Sequence, residues 1–310
     1  MITGLNAAGN QFLSSIDTLQ NQMNSAETDL SSGLRVNQAS DAPGEVADIF
    51  QARADIGNAT QVDQNLTIVQ SQAQAADSAL QSAVQLMDNA GTLGLQGSSN
   101  LGTASPSEQA TLASQVQGLI SQMVSISRTS VDGVYIFSGD QSGSPAYQVD
   151  PTSPTGVQQL ITTQATAVAA DPTGITFPVA LTAQDIFDNR DSSGNPTPQN
   201  VFASLQNLQN ALQGGNSATI AQAVDGVNTS NAYLNQQLGF YGEAENRITS
   251  AISLAQKFQV QGQTQLSNLQ DADVPTEALQ MTQAGTAMDA AMSAEAKQPT
   301  TSLFDYLPQY

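Results

Sequence analysis

Along the start of the chain, apolar and small residues recur at Ile2, Leu5, Gly9, Phe12, Ile16, Leu19, Met23, Ala26 and Leu30, with steps that alternate between three and four. That spacing returns each side chain to one stripe of a helix, so it predicts a heptad seam. The stripe is narrow: Asn10, Gln20, Asn21 and Thr28 lie off it, and a helix that buries so little needs a partner. Periodicity alone leaves open whether the partner belongs to an intramolecular bundle or to a neighbouring subunit.

The seam stops at Ser31-Ser32-Gly33, where glycine suits a left-handed helix end. Asp41 is expected to cap a new helix with Pro43 in its first turn, and Glu45 and Asp48 suit its N-terminal dipole. From about Pro43 to Ser98 the pattern is helical, with Leu66, Val69, Ala73, Ala76, Leu80, Ala83, Met87 and Ala90 repeating the three-four alternation. A helix of about 50 residues is about 75 Å long, which is rod material. After GSSNLGTA, Ser105-Pro106-Ser107-Glu108 reads as a capping box, and Leu112, Val116, Leu119, Met123 and Ile126 supply the seam of a helix expected to return antiparallel.

At Asp132-Gly133 the period changes to that of strands. Val134-Tyr135-Ile136-Phe137 is β-branched and aromatic, and AYQV, ITFPVAL and Asp185-Ile186-Phe187 follow as short segments punctuated by Pro, Gly, Asp and Asn. Helical pattern resumes near Asn200, breaks at Gly214-Gly215 and runs from about Ser217 to Asp271. Pro275 then interrupts it, and a last helix, about Thr276 to Lys297, places Met281, Gly285, Met288 and Met292 on one face. The expected fold is mainly α: a long antiparallel helical rod with paired N- and C-terminal coiled-coil helices and a small β-rich insertion. Its expected parts are a coiled-coil segment 1–40, rod 41–132, a β-rich outer domain 133–200, rod 201–272 and a coiled-coil segment 273–310.

Composition narrows the chemistry. The chain has no Cys and no His, which removes thiol nucleophiles, imidazole bases and Cys/His metal sites. Asp271 and Asp273 read as helix caps and form no EF-hand loop, and no phosphate-cradling or dinucleotide motif is present. The sequence therefore predicts no enzyme, no cofactor and no metal. With 7 Lys+Arg against 27 Asp+Glu, the net charge of -20 repels nucleic acid and anionic membranes. The first 25 residues lack the basic and apolar regions of a cleavable secretory signal, and no apolar run is long enough to span a bilayer. Asn58-Ala59-Thr60, Asn65-Leu66-Thr67 and Asn228-Thr229-Ser230 match the glycosylation acceptor pattern by chance in so Asn/Thr-rich a chain.

Within this charge-poor chain, Arg35 and Arg53 stand around the break at 31–50. A solvated charge is the plain reading of Arg35; its planar fork also suits fixed contacts to a carboxylate or to backbone carbonyls across a subunit boundary.

The stretch LSSGLRVNQASDAPGEVADIF resembles the N-terminal signature of the bacterial flagellin family, of the form LSSGLRINSAxDDxAGxA, matching at Leu30, Ser31, Ser32, Gly33, Leu34, Arg35, Asn37, Ala39, Asp41 and Gly44. It departs where a second Asp would stand and at Glu45. Gly133-Val134-Tyr135-Ile136-Phe137-Ser138-Gly139-Asp140-Gln141, followed by Pro145 and Tyr147, and the ending Ser302-Leu303-Phe304-Asp305-Tyr306-Leu307 resemble the hook–filament junction members of that family more than its filament-forming members. LQDADVPTEALQMTQ is similar to the C-terminal region of both. The resemblance covers about residues 1–147 and 225–307.

The resemblance implies a secreted structural protein of the extracellular flagellum. Its terminal helices would be disordered in the soluble monomer, pass unfolded through the flagellar type III export channel and order into a tubular coiled-coil layer on assembly. Its partners would be copies of itself in a ring or tube, another hook-associated protein on the hook side, flagellin on the filament side and an export chaperone. The expected assembly interface comprises Leu5, Phe12, Ile16, Leu19, Met23 and Leu30 of the first seam, Arg35, Asn37 and Asp41 of the connector, Met281, Met288 and Met292 of the last helix, and the apolar tip Leu303, Phe304, Tyr306 and Leu307. Two other readings stay open: a filament flagellin, and a non-flagellar helical stalk carrying a β-rich ligand-binding module.

Overall fold

A computed structural model describes residues 2–99 and 106–297, and among the described residues the chain is mainly α with a small β region. The helices are α1 (Ile2–Ser32), α2 (Val46–Ser99), α3 (Pro106–Ser127), α4 (Ala183–Phe187), α5 (Val201–Gly214), α6 (Ser217–Gln270) and α7 (Val274–Glu295). The chain divides into two compact units, residues 1–57 with 259 onward, and residues 58–258. Among the described residues no helix is long and apolar enough to cross a membrane.

The core of the 58–258 unit follows the predicted stripes. Leu66, Ala73, Ala76, Leu80, Ala83, Met87 and Ala90 of α2 are buried with Val116, Ile120 and Met123 of α3, Leu205, Leu208 and Leu212 of α5, and Ile220, Leu234, Tyr241 and Ile248 of α6. Burying a side chain of Leu, Ile or Met size stabilises by about 1.5–3 kcal/mol, and the alanines between them let the helices approach closely. Gln70 of α2 donates to Thr249 of α6, while Asn231 of α6 donates to Asp88 of α2. As one number rises the other falls, so the two helices are antiparallel here.

The insertion carries a 3₁₀ turn at Gly139–Gln141 and three two-stranded antiparallel hairpins: β1 (Ser130–Val131) with β2 (Val134–Tyr135), β3 (Tyr147–Val149) with β4 (Val157–Gln159), and β5 (Val168–Ala170) with β6 (Thr176–Pro178). The first is closed by Asp132 and Gly133 with φ of 51° and 81°, the two-residue turn that Asp-Gly favours. Asp150, Asp171 and Asp191 close later turns by one device, each carboxylate accepting the backbone N–H two residues on. The Asp-Pro-Thr and Asp-Ser-Ser stretches are thus turn chemistry. Donors from Thr152, Thr173 and Asn195, respectively, lead the interactions that hold these three carboxyls below their usual range.

Several local expectations are corrected. The strand read through Ile136-Phe137 ends at Tyr135: Phe137 turns inward, its ring edge-on to Phe187 at 5.7 Å and to Tyr241 at 6.4 Å. Asp185-Ile186-Phe187 is helical, because Thr182 and Asp185 form a reciprocal capping box that outweighs the β-branched composition. Asp41 does not cap α2, which begins at Val46; its carboxylate accepts the backbone N–H groups of Asn37 and Gln38 instead.

Candidate assembly interface

The unit formed by residues 1–57 and 259 onward contains the residues expected to assemble. Its local order starts at Gly33, whose φ of 73° ends α1 in the left-handed conformation that glycine takes without a side-chain penalty. The chain then meets the end of α6 edge to edge. Leu34 bridges Asp271 in antiparallel fashion, Arg35 and Val36 donate their N–H groups to the Gln270 carbonyl at 2.7 and 3.3 Å, and Ala272 donates to the Gly33 carbonyl at 3.0 Å. The two helix breaks, far apart in sequence, are therefore one structure. The chain enters it from α1 and leaves it into α7, so α1 and α7 run antiparallel and pack against each other.

Electrostatics explain the two arginines at the break. The last turn of α6 carries no basic residue, and its carbonyl end holds partial negative charge. Arg35 Nη2 donates to the Leu269 carbonyl at 2.7 Å and to Glu45 Oε2 at 2.6 Å, while Arg53 Nη2 donates to Gln270 Oε1 at 2.8 Å. Cations from the other break thus serve a helix end that lacks its own. Within its chain Arg35 thus meets a carboxylate and a carbonyl, the contacts its planar fork suits. Asn37 adds a second tie, donating to Asp29 Oδ1 and to the Leu34 carbonyl, both at 2.8 Å. Burial raises the Asp29 carboxyl above its usual range, opposed in part by that Asn37 amide.

Below this knot, α1 presents its seam as written in the sequence. Phe12, Ile16, Leu19, Met23 and Leu30 are half-buried, Ala26 is buried, and Leu13, one position off the stripe, is 60% exposed. On α7 the covered stripe runs through Glu277, Met281, Ala284, Met288, Ala291 and Glu295. Gly285 lies at its margin, and the step after Met288 is three residues and not four, so Met292 falls off the stripe and is 50% exposed. Among the described side chains of the two helices, only Ala26 and Ala284 are buried outright. The pair leaves most of its apolar stripe half open to solvent.

Leu5 lies on α1, whereas Leu303, Phe304, Tyr306 and Leu307 lie outside the described residues. Sequence reasoning missed Gln270, Glu45 and Asp29 as parts of the knot. Arg53 carried a signal as one of 7 cations; Gln270, in a Gln-rich chain, carried none.

Two family models match the chain: the bacterial flagellin N-terminal helical region over residues 5–142 and the bacterial flagellin C-terminal helical region over residues 221–307. No curated protein matches the sequence. Among solved structures, the chain is similar to a Vibrio parahaemolyticus protein described as a flagellar hook-associated protein, at 14% identity and a TM-score of 0.63 over 74% of this chain and 100% of that one. It is similar to flagellar hook-associated protein-3 of Legionella pneumophila at 14% identity and a TM-score of 0.60, over 71% of this chain and 98% of that one. FlgL of Bacillus cereus follows at 15% identity and a TM-score of 0.53, over 71% and 100%. At such identities the likeness is one of fold. With both helical ends matched by its models, the chain belongs to the bacterial flagellin family.

Proposed function

We propose that this chain is a structural subunit of the bacterial flagellum that joins hook to filament. The observation that carries the assembly part of this reading is the half-covered seam of α1 and α7. Phe12, Ile16, Leu19, Met23, Met281 and Met288 are half-buried and would gain further burial where neighbouring subunits close over them, and partly covered apolar stripes on paired helices are what a coiled-coil layer consumes. Support for the junction, as opposed to the filament, comes from the structural neighbours that carry hook-associated names.

In this reading the subunit leaves the cell unfolded through the flagellar export channel, escorted beforehand by an export chaperone. It then folds its terminal helices as it docks on another hook-associated protein and receives flagellin above it. The ordering entropy is offset by burying the seams against sister subunits. Arg35, Asn37 and Asp41 set the geometry of the joint from within the chain, and Met292 and the tip Leu303, Phe304, Tyr306 and Leu307 meet neighbours.

Gene deletion tests the location. Electron microscopy of deleted cells should show hooks without filaments, with a different filament subunit accumulating in the medium. If the major filament subunit itself disappears from cells and medium, the chain is a flagellin and the junction reading fails.

A further inference from the structure

Cross-links fix the register of α2 against α6 inside the 58–258 unit. Gln70 meets Thr249, Asp88 meets Asn231, and a β-carbon on Gly91 would lie 3.9 Å from Asn228 Oδ1. Each step up α2 is therefore one step down α6, which sets Glu245 opposite Gln74 and about one turn from Asp77. Asp63, Asp77 and Asp88 follow one another at close to whole numbers of turns, so α2 carries its acids in this unit on one face. Glu245 adds a carboxyl from the other helix. Its Oε1 is sealed from solvent and meets no hydrogen-bond donor among the described residues, and the same holds for Asp63 Oδ1 and Asn231 Oδ1. The interface is thus short of hydrogens where it is rich in acceptors. Asp77 has its own donor, Gln81 Nε2 at 2.7 Å, and supplies the neighbouring negative charge. Cations do not answer it. Arg247 stands two residues on, around the far side of α6, and pairs with Glu243 at 3.3 Å. Those two share a cleft with Asp171 of the β5–β6 hairpin, which Glu245 does not line, and Lys257 is more than three turns further along α6. Burial, and then the charge of Asp77, raise the Glu245 carboxyl above its ordinary value of 4.5.

We propose that Glu245 and Asp77 form a proton-operated clasp between α2 and α6: on mild acidification Glu245 takes one proton from solvent, its repulsion with Asp77 is removed, and the two helices hold more firmly than at neutral pH. A sealed carboxyl costs less neutral than charged, above all beside a second carboxylate. Because the folded chain favours the protonated form, this contribution is complete below 4.5 and is lost as pH rises through the higher folded value. The clasp lies wholly in the 58–258 unit. It needs neither ordered chain ends nor a place in the flagellum, so it stands or falls separately from the junction reading.

Thermal melts of the full-length chain across mildly acidic to neutral pH test it. Glu245→Gln copies the protonated group, so at neutral pH it should melt about 2–4 °C above the unsubstituted chain, and most of that gap should close on acidification to the ordinary carboxyl range. Asp77→Asn should also raise the neutral melt, and adding it to Glu245→Gln should gain little more, because the two changes remove one repulsion. Glu243→Gln, on the outward face of α6, should leave the pH dependence as it is. Carboxyl-carbon NMR supplies a readout that does not depend on melting: Glu245 should titrate above 4.5 and move back toward it in Asp77→Asn. A Glu245→Gln chain that melts at or below the unsubstituted one at neutral pH, a gap that persists unchanged in acid, or a Glu245 carboxyl that titrates at or below its ordinary value would each overturn the proposal.

Discussion

The hydroxyl of Tyr147 donates to the carboxylate of Asp188 at 3.0 Å, with both residues sealed from solvent. Burial, and then the negative charge of Asp188, push the Tyr147 hydroxyl well above its ordinary value of 10.0; burial also raises Tyr241. A group whose folded value is raised contributes stability that is complete below the unfolded value and is lost as pH rises past it. Melting temperature should therefore hold up to about pH 10 and fall steeply above it. Tyr147→Phe should cost about 1 kcal/mol at neutral pH and make the alkaline fall shallower; an unchanged alkaline profile would count against this assignment.

Asp188 carries further partners: Asn200 Nδ2 at 2.7 Å and Arg190 Nε at 2.9 Å. Removing the only cation of this set leaves a sealed carboxylate without its opposite charge. Arg190→Met should destabilise the 58–258 unit by about 3 kcal/mol, and Asp188→Asn combined with it should recover a large part. Denaturant titration of both variants checks this, and equal losses in the single and double variants would contradict it.

Helical glycines should split by surroundings. A β-carbon on Gly94 would lie 2.4 Å from Val224 Cγ2 and 3.0 Å from Leu208 Cδ1, whereas one on Gly118 would meet nothing within 4 Å. Gly118→Ala should stabilise by up to about 1 kcal/mol through helix propensity. Gly94→Ala should cost about 1–3 kcal/mol despite the same propensity gain. Thermal melts that move both variants in one direction would refute the close packing at Gly94.

Charging the terminal seam should separate folding from assembly. Leu19→Asp and Met288→Asp each place a carboxylate on the stripe proposed to be buried between subunits. The 58–258 unit should keep its melting behaviour, and export should continue, while incorporation into flagella is lost. Normal filaments on cells that carry either variant would refute a role for the seam in assembly.

Period and punctuation made much of this fold legible. The three-four alternation located the α1 seam from Gly9 to Leu30 and most of the α2 core stripe, because a helix repeats its geometry whatever it packs against. Gly33, Asp132-Gly133, Asn200 and Gly215 were readable because each answers a local backbone demand. The insertion was not, since its hairpins are two or three residues long and its shape is decided by burial of Phe137 and Phe187 and by the Thr182–Asp185 capping box. The knot was half legible: the cations stood out, but apart from Glu45 their acceptors are one carbonyl and one glutamine more than two hundred residues away, which no local pattern announces. Met292 shares a face with Met281 and Met288 but lies off the covered stripe, because a three-step and a four-step are equally regular until the partner helix is known.

The claim at the centre of this account is that the seam residues of α1 and α7 are open to solvent in the free subunit and closed in the flagellum. Methionine oxidation reads it directly, since Met23, Met281 and Met288 lie on the stripe and a thioether reacts according to its access to oxidant. Brief oxidation followed by mass spectrometry should find all three converted to sulfoxide in the free subunit and spared in subunits taken from assembled flagella. Equal oxidation of the three in both states would contradict the account.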